Sequence, residues 1–347
     1  MSLRPIYVGT DCGATTSKIV ALYDDGTPVS MDLLQRKTRA EEGRGAIITG
    51  WIDAVEEYLT LHKLSWSQVQ AAGLATPGPY QKYGVLDKSA NLPASFEGFD
   101  VLTAYTQAIA QKAGRAVKCV MGNDGNFGGV AEAAKVRGTA RAGVVMLAPG
   151  SGLGCAYIDP SGMPLDGDSF AGMEAGHMPA PLHELGVPPL PCGCGRTWGC
   201  IESYTTLAGL GWLLQMKLKD FPGHPLAQSP LSGKARALEL RGLAQKGDPL
   251  ACELFDFQAK ALGHFTAILA MALDPEYVVI GGGLMDPENT TDEFRHRYLK
   301  LLHDTAMSNL WPAQKKKIKI VPASLGELSQ AIGAGLVALY SSKSPAA

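Results

Sequence analysis

The sequence predicts a two-lobed α/β protein, and three observations carry that reading. Strand-like apolar runs alternate with segments of helical spacing through the first half of the chain. The arrangement strand, glycine loop, strand occurs near residue 10 and again near residue 150. From about Ser203 the chain turns helical, until a late strand that ends in three glycines. With 347 residues, 46% of them hydrophobic, the chain has ample material for two packed cores.

The elements follow in order. "PIYVGTDCGATTSKIVALYDDGTPV" reads as strand, glycine turn, strand, a "DDG" hairpin turn and a further strand. "GAIITGWIDAVEEYLTLH" spaces its apolar residues helically. "VQAAGLATPGPY" is a strand entering a Gly/Pro loop, "VLTAYTQAIAQKAG" a helix closed by Gly114, "AVKCVMGND" the next strand, and "NFGGVAEAAKVRG" a helix of small residues. "AGVVMLAPGSGLGCAYID" repeats the strand–glycine loop–strand arrangement. "SYTTLAGLGWLLQMKL", "KARALELRGLAQKG" and "DPLACELFDFQAKALGHFTAILAMAL" are helices. "EYVVIGGGLM" is a strand, "KKKIKIVPASLG" a basic strand with a solvated start, and "LSQAIGAGLVALYSS" the closing helix. The smaller lobe is expected at 1–122 plus 333–347 and the larger at 123–332.

A net charge of −2 leaves no basic footprint of the kind nucleic acid selects. No apolar run approaches the roughly 18 residues of a membrane span, and the opening "MSLRPIYVGTDCG" carries no long apolar leader. These features predict a cytoplasmic protein with neither nucleic-acid nor membrane partners.

"DCGATTSK" matches neither the P-loop nor the dinucleotide fingerprint. It joins two strands, lets the backbone approach an anion at Gly13, and offers hydroxyls at Thr15, Thr16 and Ser17 and a carboxylate at Asp11. Alone it reads equally as a phosphate-binding or an ordinary hairpin. "PGSGLGC" repeats the arrangement with Gly150, Ser151 and Gly152. "IGGGLM" places Gly281, Gly282 and Gly283 at a strand end before an expected helix, which suits a nucleotide. Three such loops suggest the actin-like ATPase and sugar-kinase architecture. In "MGNDGN", Asp124 reads either as a general base at a strand end or as the N-cap of the next helix.

Seven cysteines in this length make no disulfide scaffold, and Cys12, Cys119, Cys155 and Cys252 read as buried small hydrophobes. Cys192, Cys194 and Cys200 of "PCGCGRTWGCIES" differ. With His177 of "GMEAGHMP" they form an imidazole and three thiolates, a closed tetrahedral zinc set. Cys-x-Cys is too tight to bridge easily, and the Cys-x-x-Cys of redox proteins is absent. His183 is the alternative histidine ligand.

Together these motifs resemble the ROK family (repressor, open reading frame, kinase) over nearly the whole chain. "DCGATTSK", "ATPGPYQKYGVLDKSANLP", "GNDGN", "APGSGLGC", "EAGH", "CGCGRTWGCIE" and "DPEYVVIGGGL" carry the resemblance in family order. It implies the duplicated ribonuclease H-like, two-lobed actin-like ATPase fold. It also implies phosphorylation of a hexose 6-hydroxyl with ATP and Mg²⁺, glucose first, with N-acetylmannosamine, N-acetylglucosamine or fructose as alternatives. Asp124 is then the base, and Asn91, Asn123, Glu174, His177 and Glu202 hold the sugar. Asp11 organises Mg²⁺, structural zinc shapes the loop from Gly176 to Glu202, and the protein is a homodimer.

Polyphosphate is an alternative donor. A sugar-binding regulator is the non-enzyme rival, but the ten residues before Asp11 are too few for the helix-turn-helix module of the family's repressors. An acyl-CoA dehydratase activator would use its cysteines for an iron–sulfur cluster. The chain departs from the family pattern at Ala14, in the inserted "PLHELGVPPLP", and in one extra residue between Cys194 and Cys200.

Overall fold

The computed structural model describes residues 3–13, 15–39, 42–88, 92–231 and 233–343, so Ala14 and Asn91 lie outside the described residues. The first half of the chain runs β1 (Ile6–Cys12), β2 (Thr16–Tyr23), β3 (Leu34–Lys37), α1 (Arg44–Leu61), β4 (Val69–Thr76), β5 (Tyr80–Lys82), β6 (Val85–Leu86), α2 (Val101–Ala113), β7 (Lys118–Asn123) and α3 (Asp124–Arg137). There follow β8 (Val144–Pro149), β9 (Leu153–Ile158), α4 (Leu182–Leu185), α5 (Glu202–Thr205), α6 (Leu207–Lys217), α7 (Gly233–Gln245) and α8 (Pro249–Leu273). The chain closes with β10 (Tyr277–Ile280), α9 (Asp292–Asn309), α10 (Pro312–Lys315), β11 (Lys319–Pro322) and α11 (Ser329–Lys343). Two compact units result: Met1–Arg141 with Ala156–Gly172 and Leu325–Ala347, and Ala142–Cys155 with Met173–Ser324.

The first unit is built on a sheet of order β3-β2-β1-β4-β7. β1 pairs antiparallel with β2 across the glycine turn and parallel with β4, which pairs parallel with β7. β1 is buried along its whole length. Ile6, Val8 and Cys12 join the core formed with Trp51 and Tyr58 of α1 and Tyr105 of α2, whose hydroxyl bonds the Thr10 hydroxyl at 3.0 Å. Fully burying an Ile or Val side chain contributes roughly 1.5–3 kcal/mol. On the other face α11 lies directly on the sheet. A Cβ at Gly9 or Gly73 would come within 1.9 or 2.0 Å of a carbonyl oxygen of α11, so only glycine allows the contact.

Helix α2 starts on an Asp100 cap and ends at Gly114 in the left-handed region, as its sequence leads one to expect. The "DDG" turn forms, but only an isolated bridge, Leu22 to Pro28, follows it, and β3 begins later. Residues 123–141, 156–172 and 325–332, expected in the larger lobe, fall in the first unit, where α3 packs on α11.

The second unit carries a sheet of order β11-β10-β8-β9, with β10 parallel to both β8 and β11. α8 begins on Asp248, whose carboxylate accepts from Ala251 N, and on Pro249 at the first turn; it packs against α7 and α9. The helix expected from Ser203 is broken into α5 and α6 at Thr206, which is extended. Lys315 to Lys317 do not start a strand: Pro312 opens the short helix α10, which Lys315 ends, and a turn separates it from β11. Among the described residues no helix is long and apolar enough to cross a membrane.

Candidate active site

In the first unit the parallel strands β1, β4 and β7 all end at the same edge of the sheet. Asp11 lies opposite Ala75, and Thr76 opposite Asn123. Ligands of open α/β sheets bind at this carboxyl edge. Asp11 is buried, and burial pushes its carboxyl up to about 7 against the nearby Lys18 charge, with Asp124 adding to the rise. The antiparallel register puts Lys18 beside Asp11 at 3.8 Å, and the same ammonium lies 3.5 Å from Glu327. Gly13 and Thr15 form the turn, Thr16 opens β2, and the turn is clamped from β3's end. There the Thr38 hydroxyl donates to Gly13 O (2.7 Å) and Thr38 N to Thr15 O (2.9 Å). Ser17, offered above as a phosphate hydroxyl, is instead buried within β2, because its side chain alternates to the core side of the strand.

Asp124 is the first residue of α3, not its cap. The cap is Asn123, whose side chain accepts from Asn126 N, while Asp124 accepts from Gly125 N. Asn126 in turn donates to the Asp166 carboxylate at 2.7 Å.

In the second unit Gly150, Ser151 and Gly152 form the turn between β8 and β9. Gly150 N donates to Gly152 O, and Leu207 N donates to Gly150 O. Glu202 at the start of α5 accepts from Leu153 N at 2.9 Å and lies so close that a Cβ on Gly152 would be 2.7 Å from it. Gly281, Gly282 and Gly283 follow β10, but they lead into turns and not into a helix. Their role is close approach: Gly282 has φ 77°, and a Cβ there would meet Pro149 O at 2.1 Å. The two loops thus pack together at one end of a cavity of about 780 Å³ walled by Leu207, Leu210, Trp212 and Leu284. Arg241 enters it from α7, held by Gly283 O and Asn289 Oδ1. Neither Arg241 nor Trp212 stands out in the sequence, since each lies on an ordinary helical stretch.

Around the cysteines, Ala180 N donates to Gly199 O and Ile201 N to Met178 O, which ties the segment after His177 to the segment at Cys200. His177 Nδ1 lies 3.6 Å from Cys192 Sγ, and Cys194 Sγ 3.7 Å from Cys200 Sγ. All four ligand atoms fall within 4.8 Å of one another. An ion bonded to sulfur at about 2.3 Å and to nitrogen at about 2.0 Å sets tetrahedral ligands roughly 3.5–3.8 Å apart, so the set fits. Desolvation opposes ionisation of Cys194, yet the hydrogen bonds of Arg196, Cys192 and Cys200 together outweigh it and lower the thiol to about 6. His183 lies exposed on α4, outside this cluster. Glu174 precedes the turn that carries His177, and Glu202 Oε1 is 3.7 Å from Cys192 Sγ. Burial first, then the charges of Glu174 and Glu202, push the Cys155 thiol up, which places both carboxylates near it.

Two sheet-based units, each with a strand–glycine loop–strand turn and with charged residues at the first unit's parallel strand ends, define a phosphate-handling protein of the actin-like ATPase class. The pattern of the ROK family matches residues 7–340, and the chain belongs to that family. It is 29% identical over 287 residues to a glucokinase of Halalkalibacterium halodurans, covering 82% of each chain. It is 31% identical over 297 residues to an N-acetyl-D-glucosamine kinase of Escherichia coli O139:H28, covering 82% of this chain and 87% of the relative. The crystal structure of a ROK hexokinase from Thermus thermophilus superposes with a TM-score of 0.73 at 26% identity, covering 97% of this chain and 99% of that one. The chain is a ROK-family sugar kinase with that family's two-lobed fold.

Proposed function

We propose that this sugar kinase transfers the terminal phosphoryl group of ATP to the 6-hydroxyl of an aldohexose, glucose first. The observation that carries the reading is Asp124, placed just past the carboxyl end of β7 while Asn123 does the capping of α3. Its carboxylate takes the proton of the attacking hydroxyl as the bond to phosphorus forms. Asn91, Asn123, Glu174, His177 and Glu202 are assigned to the remaining hydroxyls. Backbone N–H groups at Gly13, Thr15, Thr16, Gly150, Ser151, Gly152 and Gly281–Gly283 are assigned to the phosphates.

The apolar walls beside the second loop support a nucleoside triphosphate donor, because a polyphosphate chain has no apolar part to bury there. Mg²⁺, with Asp11 to organise it, supplies neutralisation of the phosphate charge. Zinc suits His177, Cys192, Cys194 and Cys200. With Nδ1 turned to Cys192, the other ring nitrogen of His177 remains for a substrate hydroxyl. A cytoplasmic homodimer completes the reading.

The test is a coupled ADP-release screen over glucose, mannose, fructose, allose, N-acetylglucosamine and N-acetylmannosamine. Glucose is expected to give the highest kcat/KM. If Glu174, His177 and Glu202 hold the C1–C2 side, 2-deoxyglucose and 1,5-anhydroglucitol fall short by up to ~10⁴, because each leaves buried polar groups unpaired. The E. coli relative favours a second reading, N-acetylglucosamine kinase. A higher kcat/KM for that sugar replaces the first reading with the second, and no sugar-dependent ADP release overturns both.

A further inference from the structure

We infer that Phe170 closes the acceptor end of the first unit and so determines which acceptors, water included, reach Asp124. The inference rests on Asp124 serving the acceptor hydroxyl. Phe170 has φ 56°, in the left-handed region where a bulky side chain is an outlier. Such a conformation persists only where its surroundings hold it, and it concentrates at functional sites. Here the segment closes on itself: Gly172 N donates to Asp166 O at 2.7 Å and Phe170 N to Gly167 O at 3.3 Å.

The ring so placed faces Tyr83, with centroids 5.7 Å apart. Tyr83 is itself tied to the strand that leads to Asp124, since its hydroxyl accepts from Met121 N at 3.1 Å. Tyr80 is tied to the neighbouring strand end, where its hydroxyl donates to Thr76 O at 3.0 Å. These three rings line, with Asn123 and Asp166, a partly open space of about 10 Å³. That volume holds a single water at most. The pocket beside Asn123, the residue before Asp124, is therefore narrowed by a side chain that the backbone there does not favour. Removing the ring opens room for water or for a substituent beyond the reacting carbon, and water at this point competes with the sugar for the phosphoryl group.

The experiment compares full-length Phe170→Gly, Phe170→Leu and Phe170→Tyr with wild type. It reads ATP hydrolysis without sugar as a ratio to sugar-dependent ADP release, and kcat/KM for a heptose relative to the preferred hexose. In Phe170→Gly, whose backbone suits φ 56°, both ratios are expected to rise ~10-fold, the scale on which pocket size discriminates. Its Tm is expected to stay within roughly 3 °C of wild type, because relief at this φ offsets the lost ring contacts. Phe170→Leu, which keeps an apolar side chain should the glycine variant fail to fold, is expected to lie between. Phe170→Tyr is expected within twofold of wild type. Unchanged ratios in both the glycine and leucine variants, or an equal rise in Phe170→Tyr, overturn the inference while leaving the kinase reading in place. A wild type that shows no sugar-dependent turnover overturns both.

Discussion

The two strand–glycine loop–strand turns look alike as sequence and sit in unlike surroundings. The first carries its charges within the hairpin: a buried Asp11, Lys18 opposite it in register, and Glu327 beyond. It is held from the side by Thr38 through two hydrogen bonds. The second is neutral along its own length, is pinned by the single carboxylate of Glu202, and opens on a large apolar cavity. A glycine turn supplies close backbone approach in either place, and the neighbours decide what approaches. Charges at parallel strand ends suit ions and the reacting phosphoryl group. Apolar volume lined also by the guanidinium groups of Arg236 and Arg241 suits a nucleoside and its phosphates.

The largest expected effect tests whether the chemistry belongs to the first of these places. Asp124→Asn should lower kcat by ~10²–10⁴ with nucleotide affinity nearly unchanged. Unaltered turnover would remove Asp124 as base and with it the division of labour.

Next comes the cysteine cluster of the second unit. The purified protein should hold about one zinc per chain, and Cys194→Ser should raise the sugar KM by at least ~10-fold before it affects the nucleotide KM. Metal analysis that finds no zinc, or iron with visible absorbance, contradicts this.

A smaller effect sharpens the assignment of the apolar cavity. Arg241→Ala should raise the nucleotide KM by about 10-fold, one charge-assisted contact, with kcat and the sugar KM within about twofold. If the sugar KM moves instead, the cavity is not the donor's.

The smallest effect concerns Asp166 beside α3. Burial raises its carboxyl above the ordinary range, against the opposing Asn126 hydrogen bond. As pH rises from about 4, the unfolded chain ionises first, so the folded state loses stability until its own carboxyl has ionised. Asp166→Asn, whose amide oxygen still accepts from Asn126, should match wild type in Tm at about pH 3.5 and exceed it at about pH 7. An advantage that is constant with pH would mean that the carboxyl ionises normally.

Much of this was legible in local pattern, and the failures have local causes too. Gly114 and the Asp100 and Asp248 caps follow from residue type, because turn and cap preferences act over a few positions. Lys18 was also within reach, since a short hairpin turn fixes its partner across the strand pair. The choice between base and cap at Asp124 was not. Asn123 and Asp124 are both good caps, and only the backbone shows which one takes the position. The helix broken at Thr206, whose carbonyl accepts from Gln258, and Gly282, which lies against Pro149, also depend on contacts distant in sequence.

By itself the sequence determined the α/β class, the order of the strands and loops, and the presence of residue types that a phosphate site and a four-ligand metal site would need, since these depend on periodicity, spacing and donor chemistry. Tertiary structure alone decided that Glu202 pins the second loop, that Arg241 enters the cavity, and that Phe170 faces Tyr83 in a left-handed conformation. The physical reason is range. Propensity and register act over a few residues, whereas these contacts join segments 40 to 90 positions apart, and only the packed chain brings them together.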